Sequence, residues 1–119
     1  MRAFLLSALA LIILCILVIW NGIYISKTTD KMRTEASKIV SLENENDFLA
    51  LRELWDKHKA IISISVPHTE SDEMEKAIVT LQTKFENNIS FGFSEAVALT
   101  IKAIDEIKVH GTASLDNVL

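Results

Sequence analysis

The stretch AFLLSALALIILCILVIWNGIYIS, Ala3 to Ser26, carries no charged residue. Ala3–Ile25 is 23 residues, which as a helix reaches roughly 34 Å at about 1.5 Å per residue. That crosses a hydrocarbon core of about 30 Å with some tilt. Trp20 and Tyr24 stand near its far end, where amphipathic rings prefer the membrane interface. The reading of this stretch as a single membrane span decides the rest. Residues 1–25 become an N-terminal transmembrane anchor, and residues 26–119 one domain near the lower size limit for a self-sufficient core.

Two other readings fit less well. A secretory signal has an apolar core of about 7–15 residues followed by a small-x-small cleavage site. Here the run is longer, Tyr24-Ile25-Ser26-Lys27 follows it, and the SALA at Ser7–Ala10 lies inside the run. A lipoprotein anchor on Cys15 would need a small residue where Leu14 stands, and apolar sequence continues beyond it. Cys15 is the single cysteine of the chain, so no intramolecular disulfide can form. Within the span it reads as a small apolar side chain.

The chain has 12 Lys and Arg against 16 Asp and Glu. Only Arg2 precedes the span, so the domain beyond it has a net charge of −5. That sign argues against a nucleic-acid partner, which needs a basic face, and against strong docking onto anionic lipid. Orientation draws on opposed signals. Lys27, Lys31, Arg33 and Lys38 follow the span, and counted literally they place the domain in the cytoplasm. They are interleaved with Asp30 and Glu35, and a two-residue tail is the usual look of an anchor whose N-terminus stays inside. The expectation is a single-pass cell-membrane protein with its C-terminal domain extracytoplasmic.

Beyond the span the pattern is helical. The first helix continues out of the membrane through KTTDKMRTEASKIVSLE, with Met32, Ala36, Ile39 and Val40 on one face. Glu43–Asp47, ENEND, is a polar break with Asn46 or Asp47 as N-cap. A second helix, DFLALRELWDKHKAIISIS, sets Phe48, Leu51, Trp55, His58 and Ile62 at helical spacing. The alternation in Ile61–Val66 is too short and isolated to pair as a strand, so it reads as the end of that helix. A third, from about Thr69 to Asn87, carries Met74, Ile78, Leu81 and Phe85. NNISFGFS is a turn. The fourth, about Ser94 to His110, has Val97, Ile101 and Ile104 on one side with Leu99, Ala103 and Ile107 beside them. That stripe is broad and predicts the most buried helix. Gly111 suits a C-cap, and Leu115, Val118 and Leu119 can fold back on the bundle. The fold class is all-α: an N-terminal transmembrane helix followed by a small antiparallel bundle of about four helices.

One stretch invites a functional reading. In PHTESDEME, Pro67–Glu75, a histidine is followed by a run of carboxylates. A local cause suffices: Pro67 suits a first turn, Thr69 and Asp72 have capping-box spacing, and Glu70, Asp72 and Glu73 meet the positive end of the helix dipole. His68, Asp72 and Glu75 also fall at i, i+4 and i+7, where an imidazole and two carboxylates can hold zinc. There is no HExxH, second nearby His or cysteine, so no metal or cofactor is assigned. His58, on an apolar stripe, reads as a satisfied core histidine, and His110 complements the end of the last helix. No phosphate-binding glycine loop or Ser-His-Asp order stands out, and no enzyme is expected.

LRELWDKHK, SVPHTESDEMEKAI and the closing SLDNVL, after a short anchor beginning Met-Arg, together resemble a domain-of-unknown-function family. It comprises small, singly membrane-anchored helical proteins from spore-forming, clostridia-like bacteria. The resemblance singles out Trp55, His68 with Glu70, Asp72 and Glu75, and Asn117 as a motif of interaction or structure, and it implies no activity. It suggests a membrane-protein partner or self-association. The function expected is that of a bitopic protein whose helical domain is a protein-interaction or accessory module. The alternative is a sensor-type bundle that binds a small ligand or metal.

Overall fold

The structure, a computed structural model, describes residues 1–113; Leu115, Asn117, Val118 and Leu119 lie outside them. Four helices follow one another: α1 (Arg2–Ser37), α2 (Glu45–Ser65), α3 (His68–Glu86) and α4 (Phe93–Gly111). Among the described residues there is no strand. The C-terminal part of α1 packs on α2 and α4, and α3 packs on the same two, with α1 and α3 diagonal. Pairs such as Asn21–Ser65, Asp30–Lys108 and Arg33–Asp105 show that α2 and α4 run antiparallel to α1. The result is an up-down-up-down bundle from which the N-terminal half of α1 projects as a bare shaft. The molecule measures 67 Å by 21 Å by 21 Å.

α1 is long enough and apolar enough to cross a membrane, and none of its most apolar 18-residue window is buried within the protein. The helix does not break at the polar boundary. It runs on for a further turn after turn, and burial begins at Gly22 and continues through Ile25, Thr28, Thr29, Met32 and Ala36. The division drawn at residues 25 and 26 therefore falls inside the packed part of α1. Thr29, a buried hydroxyl, donates back to the Ile25 carbonyl at 2.7 Å, so its burial leaves no polar group unpaired.

A single apolar core runs the length of the bundle, with Trp55, Phe48, Met32, Ile62, Met74, Ile78, Leu81 and Ile104 fully enclosed. At its outer end Phe48 stacks on Phe85 (centroids 5.1 Å apart), and Phe93 meets Phe85 edge-on at 5.4 Å. Such pairs contribute about 0.5–1.5 kcal/mol beyond area burial. The ion pairs Asp30–Lys108 (2.7 Å) and Arg33–Asp105 join α1 to α4 but stand about half exposed. At roughly 0.2–1 kcal/mol each they fix register more than they stabilise.

Several expected details are revised. α1 ends at Ser37 rather than near Glu43, and the break is Lys38–Asn44. Asn44 causes this: its side-chain oxygen accepts from the amides of Val40 and Ser41, both at 3.0 Å, and turns the chain. Ile39 still reaches the core, but Val40 is left 76% exposed rather than on the buried face. Asn44, not Asn46 or Asp47, stands at the N-cap of α2. α3 starts one residue before Thr69, with Pro67 as its N-cap in an extended conformation (φ −57°, ψ 145°). Thr69 is then inside the helix, the Thr69–Asp72 capping box does not form, and of the three acids only Glu70 falls in the first turn.

α4 is rotated from the expected stripe. Ala96, Thr100 and Ala103 face inward with Ile104 and Ile107, Val97 and Ile101 are half-buried, and Leu99 is exposed. Small side chains on that face let α4 approach both α1 and α3. Seven of its residues are buried, more than in any other helix, as its breadth of apolar sequence predicts. Gly111 is the last residue of α4 and not a left-handed cap. A Cβ there would stand 2.6 Å from Cγ2 of Ile25 and 3.3 Å from Cγ1 of Val66, so glycine is needed for close approach of α4 to α1.

Candidate functional site

The two ends of the bundle differ in chemistry. The end near the shaft holds the α2–α3 turn and the close of α4. The outer end holds the α1–α2 and α3–α4 connections, and it carries the most conspicuous unexplained side chain.

At the outer end, α3 stops at Glu86 and Asn88 takes a left-handed conformation (φ 52°), which Asn tolerates better than most residues. The Ile89 amide then donates to the Lys84 carbonyl at 2.8 Å. Gly92 is left-handed as well (φ 69°), and Phe93 donates its amide to Ser90 at 3.2 Å. The Lys84 ammonium crosses the loop to the Phe91 carbonyl at 2.8 Å. The loop is thus tied at both ends and in the middle. It sends Phe93 into the core and leaves Phe91 88% exposed. Exposed Val40, Leu49 and Ile89 belong to the same end. Around them Glu43, Glu45, Asp47, Glu86 and Glu95 outnumber Lys38 and Lys84. Phe91 and its neighbours were not among the residues singled out from sequence. The signal was present: an aromatic among turn-forming residues, in SFGFS, that belongs to no helical stripe.

The residues that were singled out are separated by the fold. Trp55 is buried, and its indole N–H donates to Glu75 Oε2 at 2.5 Å. Arg52 approaches the same carboxylate at 3.9 Å and donates to Gln82, so Trp55 and Glu75 form an α2–α3 tie. Glu70, mostly buried, pairs with His110 at 2.8 Å and joins α3 to α4. His68 and Asp72 are exposed on α3, and Asn117 lies outside the described residues. Among the described residues no three His, Cys, Asp or Glu converge to hold a metal ion, and the spacing of His68, Asp72 and Glu75 does not become a triad because Glu75 is turned to Trp55. His58 is half-buried, hydrogen-bonded to the Tyr24 hydroxyl and edge-on to its ring at 5.4 Å. Burial, and then Lys57 and Lys31, hold its pKa below the usual value and favour the neutral ring.

A groove of about 540 Å³ runs between α1 and α2, lined by Asp30, Lys31, Thr34 and Glu35 on one side and Ala50, Glu53, Leu54 and Lys57 on the other. Its walls carry charges of both signs, three carboxylates against two lysines. No protein-family model, curated protein or solved structure matches the chain.

Proposed function

We propose that the protein is a bitopic membrane protein, anchored by α1, whose bundle is a non-catalytic interaction module that engages a protein partner through its outer end. The observation that carries this is Phe91. An ordered loop, tied by Lys84 and two left-handed residues, holds a phenyl ring in water at the end farthest from the shaft. Exposed single apolar residues are ordinary on protein surfaces. A tied loop that presents one at the end of the bundle that also carries exposed Val40, Leu49 and Ile89 is the arrangement a partner's pocket uses, since the ordering cost is met before binding. The carboxylates around it favour a partner with a basic rim. The sidedness that goes with this reading is an extracytoplasmic bundle. The resemblance to clostridial-type anchored proteins adds the suggestion that the partner shares the membrane.

The experiment is site-specific photo-crosslinking in the host's membranes. A benzophenone side chain in place of Phe91 is expected to give a discrete adduct, and one in place of exposed Leu99 on the flank of α4 is not. An adduct of twice the chain's mass would make the partner a second copy. No adduct at 91, or the same adducts at both positions, would count against the outer end as the binding surface.

A further inference from the structure

The bare part of α1 is shorter than its apolar run. Bundle packing covers Gly22 and Ile25, and Asn21 accepts a hydrogen bond from the Ser65 hydroxyl at 2.9 Å. What remains is Ala3–Trp20, 18 residues, about 27 Å of helix. A hydrocarbon core is about 30 Å thick, and tilting shortens the reach further. At 18 residues the shaft is at the short end of the roughly 17–25 that span a bilayer, so it leaves little spacer between the lipid and the bundle. The near end of the bundle is brought down to the bilayer surface.

That end is built for the contact. Ala60–Pro67, AIISISVP, has no formal charge. Ile64 is 87% exposed on the last turn of α2, and Ile61 is exposed one turn above. Ser65, beside Ile64, touches Asn21, which sets Ile64 at the height where the bare shaft begins. On the other side, Gly111 lies against Ile25, so the close of α4 reaches the same end. Trp20, exposed on α1 at this level, is the kind of ring that prefers the interface.

We propose that Ile61 and Ile64 are seated in the interfacial layer of the bilayer that α1 crosses, so that the bundle rests on the membrane at its base. This rests on the anchor reading above. Lipid is the occupant because the length of the shaft, and not an affinity for some partner, brings these side chains to that depth. The uncharged Ala60–Pro67 turn suits zwitterionic headgroups.

The test uses the full chain with Cys15→Ser, reconstituted alone in phosphatidylcholine nanodiscs. A nitroxide is attached in turn at Ile12→Cys, Ile64→Cys and Phe91→Cys, all exposed positions, so the core is undisturbed. Collision with oxygen, which concentrates in lipid, is compared with collision with a water-soluble nickel chelate. The expected oxygen-to-nickel ratio is highest at 12, severalfold above that of 91 at 64, and lowest at 91. A ratio at 64 equal to that at 91, with 12 still lipid-like, overturns the seating and leaves the anchor standing. A water-like ratio at 12 overturns both.

Discussion

At the scale of single residues, space and hydrogen-bond supply decide what each side chain does. Gly111 is required by the 2.6 Å that would separate its Cβ from Ile25, a branched and fully buried side chain with nowhere to retreat. Gly111→Ala is expected to destabilise the chain by about 1–3 kcal/mol through overpacking, which outweighs the gain in helix propensity of about 1 kcal/mol at most. Denaturant unfolding of the full chain in detergent micelles measures it. Thr69 makes the opposite case. Its sequence position resembles a cap, but Pro67 takes that place and Thr69 makes no capping bond. Thr69→Ala is expected to stay within about 0.5 kcal/mol of the parent, as at an ordinary surface site. A loss near 1 kcal/mol in the same unfolding experiment, as for a lost N-cap, would mean that the helix begins two residues later.

At the scale of helices and their contacts, the tie between α2 and α3 joins two residues that sequence named separately. Trp55 needs an acceptor for its indole N–H, and Glu75 supplies it across the hairpin. Glu75→Met should cost about 1 kcal/mol, the low end for an orphaned donor because the carboxylate is itself part-exposed. In a Trp55→Phe background the same substitution should cost nothing further, and a double-mutant cycle by denaturant unfolding reads the difference. Equal costs in both backgrounds would mean that Glu75 acts through Arg52 alone. The four helices were legible because Phe48, Leu51, Trp55 and Ile62, and then Met74, Ile78 and Leu81, repeat at three- and four-residue steps and are buried as that period requires. The rotation of α4 was not legible. Ala96, Thr100 and Ala103 carry little hydrophobic signal, and it is their smallness, set by the nearness of two neighbouring helices, that turns them inward. The pairing of Glu70 with His110 was equally hidden, since it depends on where α3 begins and α4 ends being brought together. Of the candidate site, the sequence offered Trp55 and Glu75 without their bond, and Phe91 only as part of a turn.

At the scale of the whole molecule, one helix does two things. The N-terminal half of α1 is uncovered and apolar, and the C-terminal half is a full member of the bundle. In the proposed arrangement the bundle stands outside the cytoplasm, so protease added to intact spheroplasts is expected to degrade it. Protection until lysis would reverse the orientation. The central claim is that α1 persists as an uncleaved anchor continuous with the bundle. Removal of the apolar run near Ser26 would strip Gly22, Tyr24 and Ile25 from their places against α2 and α4, and with them the partner of Gly111. Carbonate extraction of host membranes, followed by N-terminal sequencing of the chain, tests this most directly. The account predicts a chain that stays in the membrane pellet and retains Ala3–Ile25, and a released chain beginning near Ser26 would contradict it.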